Sequence, residues 1–226
     1  MLEDRGKSEY MPIVYDFCWN TGVHGYASVG QFDFGLAAQT GSLGSPNHQI
    51  LYDRPNLAAH VNFVPGPWLT VGVWSAIGPY LSPQIKPTLP AGKKIEEYQQ
   101  KTAGALLHVA EGHWDGYAEG IINRFEHPFL GLLDNVGGYA DLRFEFATRW
   151  WVAARCDALS FSRLASDDPD VKGQRWDYPI FRYEAGVGRR MTERALLKAV
   201  VQIVRYQNAP HSLDDEIYAF QFTVKL

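Results

Sequence analysis

The chain has no run of about 18 apolar residues, so none of its 226 residues encodes a membrane-crossing helix. A β-barrel needs no such run. Cysteine is scarce: Cys18 and Cys156 stand far apart, make no disulfide framework and are expected as free thiols. Charge of neither sign dominates. A net charge of −4 and a pI near 6.0 give no reason to expect nucleic acid as a partner. The opening stretch, Met1 to Glu9, has acids where a signal peptide has bases, and no apolar core follows. The expectation is a mature or shortened form, or a chain that is not exported.

Motifs of catalysis and metal binding are also missing. The seven histidines (His24, His48, His60, His108, His113, His127 and His211) include no pair at i, i+4 and none spaced with a cysteine, so no metal site is expected. His108 and His113 flank a turn, where loop or lumen positions suffice to explain them. Gly41-Ser42-Leu43-Gly44-Ser45 lacks the order of a nucleophile elbow. Gly186-x-Gly188 lies inside a strand pattern without the third glycine of a dinucleotide fingerprint. Crowding or a bulge explains it better. Asp115 and Glu119 are a carboxylate pair of the kind acid–base chemistry uses, but the arginines alternating with such acids favour ion pairing. No fixed-period repeat, low-complexity tract or interdomain linker occurs, and residues 1–226 are expected as one domain with a poorly defined segment at 1–24.

What is abundant is aromatic: 14% of residues, with 7 Trp, 12 Tyr and 12 Phe. These fall into period-two patterns. In the closing segment Tyr218, Phe220, Phe222, Val224 and Leu226 share one parity, and Ala219, Gln221, Thr223 and Lys225 the other. Period two is the strand period. The same contrast recurs in Phe181–Arg190, where Phe181, Tyr183, Ala185 and Val187 oppose Arg182, Glu184 and Arg190. In 195–206, Leu197, Ala199, Val201 and Ile203 oppose Lys198 and Gln202. Charge repeated on one face, strand after strand, suits a barrel wall with lipid outside and water inside.

Taken in order, 10–19 suggests a short strand, with Ile13, Tyr15 and Phe17 in phase. Gly25–Thr40 reads as one strand, then 57–64 and 68–77 as two joined by Pro65-Gly66-Pro67. Ile95–Ala110 fits both periods; a strand from about Tyr98 agrees with its neighbours. Trp114–Arg124, Gly138–Phe146 and Trp150–Phe161 alternate, and Glu126–Asn135 reads as a loop. Cys156 shares the apolar parity of Val152 and Ala154. Short connections (65–67, 111–113, 147–149, 191–194) tend to alternate with long ones (41–55, 78–94, 126–135, 162–177, 208–215). About ten antiparallel strands result, an even number, as an up-and-down barrel wants. Trp68, Trp114, Trp150, Trp151 and Trp176 lie near strand ends, where an interfacial aromatic belt or the caps of a soluble core would place them.

Gly137 to Phe144, Trp150 to Asp157, Tyr183 to Gly188 and Leu196 to Ala199 together resemble the C-terminal strands of porin-like bacterial outer-membrane proteins, relatives of the phosphate-selective porins. The resemblance covers about residues 25–226. It implies an all-β, antiparallel up-and-down transmembrane barrel, the C-terminal part of a longer one, in the bacterial outer membrane, with no enzymatic site and no cofactor. It implies as partners the membrane lipid, small polar solutes and the machinery that inserts such barrels and reads their last strand. Leu226 departs from the aromatic that usually ends that signal.

The inferred lumen-lining set is Asp115, Glu119, Asp141, Arg143, Glu145, Arg155, Asp157, Arg182, Glu184, Arg190 and Lys198. The inferred lipid-facing set is Phe144, Tyr183, Val187, Leu197, Val201, Phe220 and Phe222. The lumenal charges suit a constriction that filters solutes, or a salt-bridge network that fills the lumen. Because they mix both signs, the basic ladder of a phosphate-selective pore is not expected. The reading is porin-like passage or binding of small polar solutes. A soluble carbohydrate-binding module and a barrel enzyme acting at the outer loops are the alternatives.

Overall fold

The structure, a computed structural model, describes residues 21–43, 52–165, 172–209 and 214–224. Eleven strands form one antiparallel sheet in sequence order: β1 (Gly22–Val29), β2 (Phe32–Gln39), β3 (Asn56–Gly66), β4 (Leu69–Pro79), β5 (Gln99–Glu111), β6 (Trp114–His127), β7 (Gly131–Ala147), β8 (Trp150–Phe161), β9 (Ile180–Arg190), β10 (Ala195–Tyr206) and β11 (Asp215–Val224). Each strand pairs with the next, the up-and-down topology expected. From β3 onward every strand has at least 10 residues, enough to span a bilayer core when tilted. Among the described residues the sheet is not closed: β1 and β11 are its edges, and every residue in both is exposed.

Several boundaries differ from the sequence reading. Gly25–Thr40 is two strands, because Gly30 takes φ +62° and turns the chain in two residues. The apolar parity changes there, from Val23 and Val29 to Phe32 and Phe34, as a two-residue hairpin requires. Residues 126–135 are not a loop. β6 runs to His127 and β7 starts at Gly131, leaving three residues between them. Phe125 and Leu133 face each other in that hairpin and are fully buried, so packing extends both strands past their polar residues. Eleven strands are therefore described rather than about ten. The ambiguous 95–110 resolves into a 3₁₀ turn, Ile95–Glu97, followed by β5. The suggested strand at 10–19, with Cys18, and the chain's last two residues lie outside the described residues.

The strand period gives the sheet two unlike faces. On one, Leu36, Val73, Ile122, Val136, Tyr183 and Phe220 stand exposed, Phe220 at 84%. On the other, polar and charged side chains away from the two edge strands are mostly half-buried or buried, with Asp115 and Arg190 exposed. The β6–β7 hairpin projects furthest, and residues 80–98, 162–165 and 172–179 pack against its polar-face side. Tyr52, Tyr80, Leu81, Ile95, Phe125, Leu133 and Leu164 form the hydrophobic cluster there, joined by Trp176. Tyr52 donates to Leu81 O at 2.7 Å, Tyr80 to Glu126 O at 3.2 Å and Trp176 Nε1 to Asp134 O at 3.0 Å. Burial raises the Tyr52 phenol to about 12, and raises Tyr80 further still.

Candidate functional site

Register across the sheet decides which side chains share the polar face. One row runs Tyr117, Asp141, Arg155, Glu184, Gln202, and a second Glu119, Tyr139, Asp157, Arg182. Asp115 lies opposite Arg143. Glu145 continues through Trp151 and Gly188 to Lys198, and Arg190 faces Leu196. All eleven residues of the inferred lumen-lining set therefore lie on one face. Phe144, Tyr183, Val187, Leu197, Val201, Phe220 and Phe222 lie on the other, as does the free thiol of Cys156.

At the centre of the charged rows is Asp157, its side chain 2% exposed. Arg155 Nε donates to its Oδ1 at 2.8 Å and Arg182 Nε to its Oδ2 at 2.6 Å. Two guanidinium groups on one carboxylate satisfy both oxygens, which is what makes burying that charge tolerable. Arg155 also reaches Asp141 at 3.9 Å and lies 4.0 Å above the Tyr139 ring, which stacks on Tyr117.

The other predicted charges are not drawn into this knot. Glu119 accepts from Trp74 Nε1 at 2.9 Å, and Asp115 pairs with His108 at 2.9 Å. Arg143 sits 5.0 Å over the Trp151 ring, and Glu145 accepts from the backbone of Arg149. Glu184, Arg190 and Lys198 have no ion pair among the described residues. His108 and His113 do not meet; His113 packs edge-on against Phe144.

Sequence reasoning missed how this face is surfaced. Trp74 lies over Gly104, Trp151 over Gly188, His60 over Gly35 and Asn62 over Gly72. In each pair the residues are directly opposite in register. Bulky groups thus lie flat on the wall where the neighbouring strand has no Cβ. The signal exists in the sequence only once the register is known. Nearer the long connections, Gln100 donates to Asn123 at 3.3 Å and Asn123 to Asn135 at 2.8 Å, an amide ladder beneath the hydrophobic cluster.

The expected tryptophan belt holds in part. Trp114 stacks on Phe144 at 4.3 Å and Trp150 packs near Phe146 on the apolar face, beside the short turns. Trp151 faces the other way because it is one residue out of phase. Trp176 is tucked beneath its own connection, 4.6 Å from Phe161. Phe32 and Phe63, 5.2 Å apart, extend the same aromatic row.

A single up-and-down sheet with one charged face and one apolar, exposed face belongs to the class of membrane β-barrel walls. The fold is that of bacterial porins. An anion-selective porin from Comamonas acidovorans superposes with a TM-score of 0.61 at 10% identity, covering 96% of this chain and 63% of that one. A porin structure refined at 1.8 Å superposes with a TM-score of 0.62 at 12% identity, covering 92% and 62%. The chain thus spans a little under two thirds of each porin. No protein-family model matches the chain, and no curated protein does.

Proposed function

We propose that this chain forms the wall of an outer-membrane channel through which small polar solutes pass without energy input. The observation that carries the reading is the contrast between the faces of one sheet. Tyr183, 53% exposed, and Phe222, 65% exposed, would be an aggregation hazard in water and are at home in lipid. The lumen-lining set on the opposite face then meets the water of the pore. Those residues serve as a charged lining, with Arg155, Asp157 and Arg182 its structural centre and the less engaged Asp115, Glu119, Glu184, Arg190 and Lys198 free to act on solutes. The anion selectivity named for the Comamonas porin is not carried over, because this face mixes both signs.

An open edge cannot persist in hydrocarbon, where each unpaired backbone group costs several kcal/mol. β1 and β11 run in the same direction, since an odd number of strands separates up from up. Antiparallel closure therefore takes an odd number of further strands, consistent with a longer barrel. The outer-membrane insertion machinery is the partner that would read β11.

The test is refolding into detergent, followed by a gel of boiled and unboiled samples and conductance in planar bilayers. A compact heat-modifiable band and discrete current steps are expected. A monodisperse protein without detergent, showing no shift, would overturn the channel reading and favour a soluble binding module.

A further inference from the structure

We infer that the pathway along this wall favours cations over anions, with Asp115 and Glu119 as specificity-determining residues. The inference rests on the channel reading and adds the class of solute. On the polar face of the described strands, the six carboxylates of the inferred lumen-lining set are joined by Asp33 and Asp215, which the register carries to the same side. Only the five cations already named oppose these eight acids. The face therefore carries an excess of negative charge.

How each charge is held widens the difference. Arg155 and Arg182, two of the five cations, both point at the buried Asp157, and with Asp141 3.9 Å from Arg155 these two bases and two acids balance one another. Arg143 is turned onto the Trp151 ring. Glu119, by contrast, is held by neutral donors: the Trp74 indole N–H at 2.9 Å, with the Tyr139 hydroxyl as its second neighbour. Neutral donors orient a carboxylate and leave its charge uncompensated. Asp115 pairs with His108 towards β5 and lies opposite Arg143 on β7 without an ion pair to it among the described residues, and its side chain is 55% exposed. Both acids stand on β6 and point into the same space. A permeant ion beside β6 meets these two acids, while Arg190 and Lys198, unpaired among the described residues, stand on β9 and β10.

Reversal potentials of the refolded full chain in planar bilayers, under a potassium chloride gradient, test this. The expected sign is that of potassium permeating faster than chloride. Asp115→Asn with Glu119→Gln, which retain acceptors for His108 and Trp74, should lower the potassium-to-chloride ratio about fourfold. That is roughly twofold per charge, the effect of a unit charge at about 8 Å in water, screened by salt and acting with opposite sign on the two ions. The heat-modifiable band confirms that the variant has folded. A chloride-favouring potential, or a ratio unmoved in a folded variant, overturns the inference while the channel reading stands. Absence of current from an unaltered chain that gives the heat-modifiable band overturns the channel reading and this inference with it.

Discussion

Trp151 lies flat against the wall in the slot opposite Gly188, so close that a Cβ on Gly188 would stand 2.1 Å from the indole Cζ2. The two residues are register partners on β8 and β9. The missing side chain of one is the space the other occupies. Gly188→Val should lift the indole off the wall into the lumen, release Arg143 from its ring and reduce single-channel conductance. Overpacking of this kind costs about 1–3 kcal/mol. Gly25→Ala, at a position where a Cβ meets nothing, should leave conductance and heat-modifiability unchanged. Equal behaviour of the two variants would show that the slot has no role.

Asp157 holds Arg155 and Arg182 together across β8 and β9. Asp157→Asn removes the charge that both guanidinium groups share and leaves them facing each other. Breaking a buried pair from one side costs about 3–5 kcal/mol. The expected result is a large drop in the temperature at which the unboiled band unfolds. Replacing all three residues together with apolar groups of similar volume should cost much less, because no unpaired charge remains.

The two faces make opposite predictions for one substitution. Ala199 lies on the apolar face and Gln202, three residues on, lies on the polar face. Ala199→Arg, Tyr183→Arg and Phe222→Arg should each block assembly, at about 2–4 kcal/mol for a cation at mid-membrane. Gln202→Arg should assemble normally. Refolding yields into lipid vesicles measure both, and normal assembly of all three outward variants would show the faces to be reversed.

The tyrosines of the long connections give a pH signature. Tyr52 is raised to about 12 and Tyr80 is raised further, chiefly because burial disfavours the phenolate. The unfolded chain then loses these protons first, near pH 10, so their contribution to stability is intact below pH 10 and falls as pH rises towards and past 12. An absorbance titration should show Tyr52 and Tyr80 among the last phenols to ionise, together with loss of the packed 80–98 connection. Tyr52→Phe with Tyr80→Phe should shrink that late step. An unchanged late step would assign it wholly to other phenols.

Much of this was legible in the sequence, for a physical reason. A strand exposes alternate residues to opposite faces, so parity alone placed Asp141, Arg155, Glu184 and Lys198 together and Tyr183, Leu197 and Phe222 opposite them. No long-range information was needed, because the period is local. Parity failed where it is interrupted. At Gly30 a two-residue turn reset the phase within what looked like one strand. At 126–135 polar residues resembling a loop belong to strands held by the buried Phe125 and Leu133.

By itself, then, the sequence determined that the chain is strand after strand, that one face is charged and the other apolar, and which residues stand on each. Only the tertiary structure decided which charges meet. Asp157 gathers Arg155 and Arg182 while Glu119 turns to Trp74, because these choices depend on the register between strands and on the reach of each side chain. It also decided that Trp74 and Trp151 lie down over glycines, since a slot exists only when a residue without Cβ falls opposite a large ring. The connections capping the β6–β7 hairpin were settled there too, by burial of Tyr80, Phe125 and Leu133 across distant segments that no local pattern brings together.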